Sequence, residues 1–427
     1  MENRLYIKNG TIIDPHGDRI FKANILCEDG RISKISEASM EVSGMTVIDA
    51  AGLMISPGLT DVHVHFRDPG LTHKEDIVTG AGAAAKGGFT SVVMMANTKP
   101  VIDNPDTLSY VLEKGKKTGI NVYSAAAVTK EMKGNELTDF KLLKDNGARG
   151  LTDDGLPIMD EELLKRAMVS AGQLNLPLSF HEENPSLIEN NGINKGKASE
   201  YYKIGGSPRE AEISMLERDL PLAEETKAIV NFQHLSTAEG VNLLREYRIK
   251  RGNKNIHGEA TPHHFSLTEE AAVKFGTLAK MNPPLRTDDD RKAIIKGIRD
   301  GSIDIIATDH APHSAEEKAQ PLSKAPSGII GLETSLSLAV TNLVHKEDVP
   351  WLTVIRAMTQ APSEMYGIPY CTMEAGGPAD FCIFDEYAVI TYASFVSKAS
   401  NSPFAGETLE GRVKYTVCAG QIVYRDE

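Results

Sequence analysis

The sequence predicts an α/β chain: a (β/α)8 barrel over residues 56–364, with a small β-sandwich domain built from residues 1–55 and 365–427. Three observations carry this expectation. From residue 56, short β-rich runs alternate with longer helical segments, about eight times over roughly 300 residues, as a barrel requires. Those runs end on polar residues, where a barrel gathers its site. Both flanks hold only short strands and tight turns, and neither is long enough to bury much alone.

In chain order, Leu5-Tyr6-Ile7-Lys8-Asn9-Gly10-Thr11-Ile12-Ile13 reads as strand, Asn-Gly turn, strand. Residues 23–27 and 31–35, separated by Glu28-Asp29-Gly30, repeat that pattern. An apolar run at 54–59 then leads into Asp61-Val62-His63-Val64-His65-Phe66-Arg67. Candidate barrel strands end near His65, Asn97, Ala127, Asp154, His181, His234, His263 and Asp309. Helices are expected between them, for example at 161–173, 208–225 and 237–250. A doubly wound open sheet is the rival architecture, but it rarely needs so many strands with a polar residue at the C-terminal end. After residue 365 short strands return, at 379–384 and as a hairpin around Ala419-Gly420 within 414–424.

Composition excludes several classes. With 427 residues, 41% hydrophobic and 25% charged, the chain can build a large core and does not read as disordered. A net charge of -13, from 59 acidic and 46 basic side chains, argues against nucleic-acid binding and against a polybasic membrane patch. Cys27, Cys371, Cys382 and Cys418 form no Cys-x-x-Cys pair and lie far from the histidine motifs. They read as reduced structural thiols. Met1-Glu2-Asn3-Arg4-Leu5 has no apolar signal core, and no apolar run approaches the length of a membrane span. A cytoplasmic protein is expected.

The chemistry begins at His63 and His65. Two apart, they share one face of a strand, with Arg67 next on that face. Side-by-side imidazoles suit a metal, and a guanidinium beside them can grip an anion. Alone, the pair reads more readily as polar positions on a half-exposed strand. Other strand ends add Asp153 and Asp154, His181, His234 and Asp309. Taken singly, His181 and His234 read as hydrogen-bonded core residues, Asp153-Asp154-Gly155 as a turn, and Asp309 as an ion-pair partner of His310. In a barrel these ends converge on one mouth. Imidazoles with carboxylates suit Zn²⁺, and their number points to two ions sharing a carboxylate.

Arg67, Asn97, Asn282 and His313 lie just beyond strand ends. Together they suit a small substrate bearing a carboxylate and amides; for either asparagine a turn role is the alternative. His263-His264 reads as packing or as support for a ligand, and His16, His73, His257 and His345 as surface residues. Residues 314–327, followed by Gly328, read as a loop after the last strand, either a lid or an ordinary solvated loop.

His63-Val64-His65-Phe66-Arg67-Asp68-Pro69-Gly70 resembles the signature of the amidohydrolase superfamily in its cyclic-amidase branch. Asn97-Thr98-Lys99-Pro100-Val101-Ile102-Asp103, Thr152-Asp153-Asp154-Gly155, Met281-Asn282-Pro283-Pro284-Leu285-Arg286 and Ala307-Thr308-Asp309-His310-Ala311-Pro312-His313 narrow the resemblance to the class I dihydroorotases, along nearly the whole chain. The resemblance implies reversible cyclisation of N-carbamoyl-L-aspartate to L-dihydroorotate in pyrimidine synthesis. It implies zinc ligands at His63, His65, Asp154, His181, His234 and Asp309, with Asp154 favoured over Asp153 as the bridge by its spacing to His181. Asp309 also becomes the catalytic proton carrier. Arg67, Asn97 and His313 become the carboxylate grip, with His65 beside the substrate, and Asn282, Ser327 and Gly328 meet the ring amides. A homodimer is implied, open to association with aspartate transcarbamoylase. Related hydantoinases bridge their metals through a carbamylated lysine, whereas the fourth strand, 149–154, offers none. Two alternatives stay open: another cyclic amidase, for allantoin or a hydantoin, and a non-catalytic partner of the transcarbamoylase.

Overall fold

The computed structural model describes residues 4–41 and 43–426; Met1, Glu2 and Asn3 of the N-terminal run lie outside the described residues. Two eight-stranded sheets organise the chain. The N-terminal segment supplies β1 (Arg4–Asp14), β2 (Arg19–Glu28), β3 (Arg31–Ser36), β4 (Thr46–Asp49) and β5 (Met54–Pro57). Next come β6 (Leu59–Val64), β7 (Phe89–Met94), β8 (Asn121–Ala126) and β9 (Gly150–Thr152). They are followed by β10 (Leu178–Phe180), β11 (Val230–Phe232), β12 (Ile256–Ala260) and β13 (Ile305–Ile306). The chain ends on β14 (Phe381–Thr391), β15 (Thr408–Cys418) and β16 (Gln421–Arg425).

Strands β6 to β13 pair in sequence order, all parallel. The ring closes where the His65 N–H donates to the His310 carbonyl at 2.9 Å, just beyond β13. This is the expected (β/α)8 barrel. Val62, Val93, Met95, Ala125, Ile305 and Ala307 cluster with Met365 and Tyr366 in a core of their own. Polar side chains gather beyond the C-terminal strand ends.

Helices form where the sequence places them. Glu161–Gln173 starts at Asp160, whose carboxylate accepts from Leu163 N. Arg209–Thr226 matches the second candidate. The third, capped by Thr237, is α-helical over Ala238–Leu244 and continues as a π-helical turn over Arg245–Lys250.

The small sheet runs in the order β16-β15-β14-β5-β1-β2-β3, with β4 also on β1, so both termini build it. Its apolar residues, among them Ile7, Ile12, Ile25, Phe381 and Ile383, form a core separate from the barrel's. One local expectation fails. Asn9-Gly10 is no hairpin turn; β1 runs straight through it and pairs with β2 on both sides, with a register shift between Ile7 and Gly10. Asn9 takes φ 65° and its N–H donates to Asn24 Oδ1 at 2.9 Å. A Cβ on Gly10 would come within 2.2 Å of the Ile55 side chain. The dipeptide marks a β-bulge against a close neighbour. The true tight turns are Asp29-Gly30 and Ala419-Gly420, where both residues have positive φ. Among the described residues, no helix is long and apolar enough to cross a membrane, and all four cysteines are buried and unpaired.

Candidate active site

Strand periodicity turns His63 and His65 to the same side of β6, and both imidazoles meet carboxylates from distant strands. His63 Nε2 lies 3.5 Å from Asp154 Oδ1 and 3.4 Å from Asp309 Oδ1. His65 Nε2 lies 2.9 Å from Asp309 Oδ1 and 3.5 Å from Asp154 Oδ2. Beyond β10 and β11, His181 Nδ1 and His234 Nε2 stand 3.0 Å apart, at 4.0 and 3.9 Å from Asp154 Oδ1. One carboxylate, Asp154, therefore faces four imidazoles. Burial pushes its carboxyl up, but the charges of His63, His65 and His181 outweigh burial and hold it well below the usual range. Burial and the neighbouring His181 and His63 hold His234 well below its ordinary value, as a neutral imidazole.

Two sets, His63-His65-Asp309 and His63-Asp154-His234, bring ligand-type atoms within 4.8 Å of one another and could hold a metal ion. His63 Nε2 is fully buried and has no hydrogen-bond partner among the described residues. Such an orphan beside two carboxylates fits a metal donor better than a structural histidine.

The two adjacent aspartates separate. Asp153 turns away from the cluster and accepts from Val128 N at 2.8 Å, Thr129 N at 3.1 Å and the Thr129 hydroxyl. Successive side chains at a strand end point to opposite sides, so Asp153 ties down a neighbouring loop while Asp154 enters the cluster.

Supporting groups surround these residues, and Glu259 is the one the sequence reading missed outright. It is fully buried: Oε1 accepts from His63 Nδ1 at 2.8 Å and from His234 N at 3.2 Å, and Oε2 accepts from Asn231 Nδ2 at 2.8 Å. Its signal was an acid inside an otherwise buried parallel strand. Asp61 accepts from His63 N at 3.0 Å and Thr308 N at 3.1 Å, tying the first strand to the last. Glu183 meets His181 Nε2 at 3.1 Å and is itself held by the Ser207 hydroxyl. Arg67, His234 and Asp309 all have left-handed backbone, φ 61°, 32° and 47°. Non-glycine residues adopt it only where surrounding bonds enforce it, typically at functional sites.

The cluster opens into a cavity of about 380 Å³ that Arg67, Asn97, Asn282, His313, Ser327 and Gly328 also line. Arg67 Nε donates to the Pro312 carbonyl at 3.3 Å; the rest of its guanidinium makes no hydrogen bond or ion pair among the described residues. Asn97 is partly committed, meeting His65 Nδ1 through Oδ1 at 2.9 Å and donating through Nδ2 to Asp154 Oδ2 at 3.3 Å. Asn282 Nδ2 approaches His181 Nε2 at 3.4 Å. His313 Nε2 donates to the Ser327 carbonyl at 2.8 Å, and burial with nearby Arg67 pushes its pKa down to about 2, so it is neutral. The lysine lining the cavity, Lys280, donates instead to the Leu322 and Ala325 carbonyls.

Other histidines fall outside. His264 is buried on Thr261 Oγ1 and the Pro283 carbonyl, and His263 is buried beside it. His16 and His73 are exposed. His257 and His345 are half-buried rather than on the surface, because each pairs with a carboxylate, Asp304 and Glu410, at 2.7 Å.

Residues 52–240 match the family model described as Dihydro-orotase-like. The chain is 50% identical over 420 residues to a dihydroorotase of Clostridioides difficile, covering 98% of this chain and 99% of the relative. It is 48% identical over 423 residues to a dihydroorotase of Streptococcus pneumoniae, covering 99% and 100%. Among solved structures, an L-hydantoinase (dihydropyrimidinase) from Arthrobacter aurescens superposes with a TM-score of 0.88 at 23% identity, over 99% of this chain and 96% of that one. A dihydropyrimidinase from Brevibacillus agri gives 0.85 at 22%, over 99% and 95%. The structural matches establish a shared fold. With half of its residues shared along almost the full length of a curated relative, the chain belongs to the dihydroorotase family.

Proposed function

We propose that the chain is a dihydroorotase that interconverts N-carbamoyl-L-aspartate and L-dihydroorotate in pyrimidine synthesis, with two Zn²⁺ ions at the barrel mouth. The observation that carries this reading is an Arg67 guanidinium without a carboxylate partner, in the same cavity as a carboxylate ringed by four imidazoles. His63, His65, Asp154, His181, His234 and Asp309 would hold the ions; within this group, His63-His65-Asp309 and His63-Asp154-His234 bring their ligand atoms close together. The donor set of imidazole and carboxylate suits zinc.

Bound there, zinc supplies Lewis acidity toward an amide carbonyl and water with a pKa lowered to roughly 7. The protein's own groups do the rest. Arg67, with Asn97 and His313, holds the free carboxylate and sets the register of the ring. Asn282 and the backbone at Ser327 and Gly328 meet the ring amides, and His65 stands beside them. In hydrolysis, Asp309 takes a proton from the attacking water and delivers it to the ring nitrogen as the C–N bond breaks. In cyclisation it takes that proton from the carbamoyl nitrogen and returns it to the departing water.

The barrel over 56–364 and the small sheet from 1–55 and 365–427 serve as two domains. The protein works in the cytoplasm as a homodimer, with aspartate transcarbamoylase as a candidate partner. Absorbance assays of dihydroorotate hydrolysis, paired with metal analysis, test the reading. Two zinc ions per chain and turnover of dihydroorotate are expected. If hydantoins lacking a carboxylate were the better substrates, the cyclic-amidase alternative would replace it, and no turnover with metal bound would favour the non-catalytic partner.

A further inference from the structure

Lys280 and Lys318 are 5% and 4% exposed, and neither forms an ion pair among the described residues. Burying an ammonium without a counter-ion is costly. Burial and the nearby Lys280 push Lys318 down to about 7, and burial lowers Lys280 as well. Both side chains serve one stretch of backbone. Lys280 Nζ donates to the Leu322 and Ala325 carbonyls at 2.8 and 2.7 Å. Lys318 Nζ donates to the Pro326 and Gly328 carbonyls, both at 2.9 Å. The Lys280 carbonyl in turn accepts from Gly328 N at 2.9 Å.

This stretch has no strand or helix to satisfy it, and Pro321 and Pro326 remove two backbone donors. Its carbonyls are instead taken up by side chains: His313 Nε2 holds the Ser327 carbonyl and Asn401 Nδ2 shares that of Gly328. The Ser327 N–H is left without a partner among the described residues, in a wall of the cavity. We infer that Lys280 and Lys318 are positioning residues, which brace residues 322–328 against the cavity so that the Ser327 N–H is presented to the substrate. The inference rests on the dihydroorotase reading for the identity of that substrate, not for the brace itself. It also accounts for two buried lysines without an ion pair at this place: each offers donors to two carbonyls at once, which a hydrophobic residue cannot do.

The test uses the zinc-loaded enzyme with Lys280→Met and Lys318→Met, singly. Loss of the brace should raise KM in both reaction directions about 10- to 100-fold while kcat falls less and metal content stays the same. Amide exchange over 322–328 should accelerate in parallel. A KM within about threefold of the parent, with unchanged exchange, overturns the inference. A uniform loss of kcat and metal would mark the lysines as structural only and would also overturn it. Should a variant not fold, exchange in the unsubstituted enzyme decides: the bonded N–H groups of Lys324, Ala325 and Gly328 should be protected, and the unbonded Ser327 N–H should slow when substrate is added. Exchange at the rate of an unstructured chain would refute the brace. Absence of dihydroorotate turnover by the parent enzyme would refute the functional reading instead, leaving the exchange result to judge the lysines.

Discussion

Glu259→Gln isolates one buried charge beside the proposed metal ligands. The carboxylate accepts three bonds, from His63 Nδ1, His234 N and Asn231 Nδ2. A glutamine can keep its oxygen on His63 and His234, but its amide nitrogen then faces the Asn231 amide nitrogen, donor against donor. Asn231 Oδ1 is buried without a partner among the described residues, so rotating the Asn231 amide restores an acceptor there. The substitution thus removes charge while conserving the number of hydrogen bonds. What is lost is charge assistance to the His63 bond, about 1–2 kcal/mol. Loss of a group supporting a metal ligand typically weakens metal binding about 10- to 100-fold, or about 1.4–2.7 kcal/mol. The two routes agree. We expect Glu259→Gln to weaken zinc binding by that factor in a chelator competition, with the melting temperature of the metal-free protein nearly unchanged. Glu259→Ala should behave differently, because it strands buried donors on His63, Asn231 and His234, each at about 1–3 kcal/mol. It should unfold at visibly lower temperature. A zinc affinity within about twofold of the parent in Glu259→Gln would refute the reasoning, since His63 would then not need the charge behind it.

Arg67→Ala should lower kcat/KM for dihydroorotate about 100- to 1,000-fold with metal content intact; steady-state kinetics check this, and a small effect would remove Arg67 from the carboxylate grip. Asp309→Asn, which keeps an oxygen donor but cannot carry the proton, should retain metal yet abolish turnover, and near-normal rates would exclude Asp309 as the proton carrier. Asp153→Ala and Asp154→Ala should part company. The first should lose melting temperature but keep its metal, the second should lose metal, and metal analysis showing the reverse would overturn the assignment. Lys318 gives a pH prediction. The unfolded chain keeps its proton up to about 10.5 whereas the fold releases it near 7, so this group makes stability rise between those values and leaves it lowest below 7. Lys318→Met should flatten that rise in urea titrations across the window, and an unchanged slope would rule out Lys318 as its source.

How much of this was legible follows from where each residue's partners lie. The barrel was readable because its alternation is local, and the site residues because chemistry sits at strand ends, where the chain itself announces them. His63 and His65 needed no partner to be noticed. Asp153 and Asp154 alone read as one turn, and only the spacing to His181 favours Asp154; the pleat turns one toward Thr129 and the other toward the imidazoles. Asn9-Gly10 misled because a bulge and a hairpin turn want the same residues, and only Ile55, far along the chain, decides between them. Glu259, Lys280 and Lys318 were illegible for a sharper reason. Charged residues are read as solvated by default, and burial reverses that reading only through bonds to segments remote in sequence. A site's ligands are thus easier to find in a sequence than the groups that hold them. The substitutions that discriminate among mechanisms, Glu259→Gln and Lys318→Met above all, are consequently the ones that sequence alone would not have chosen.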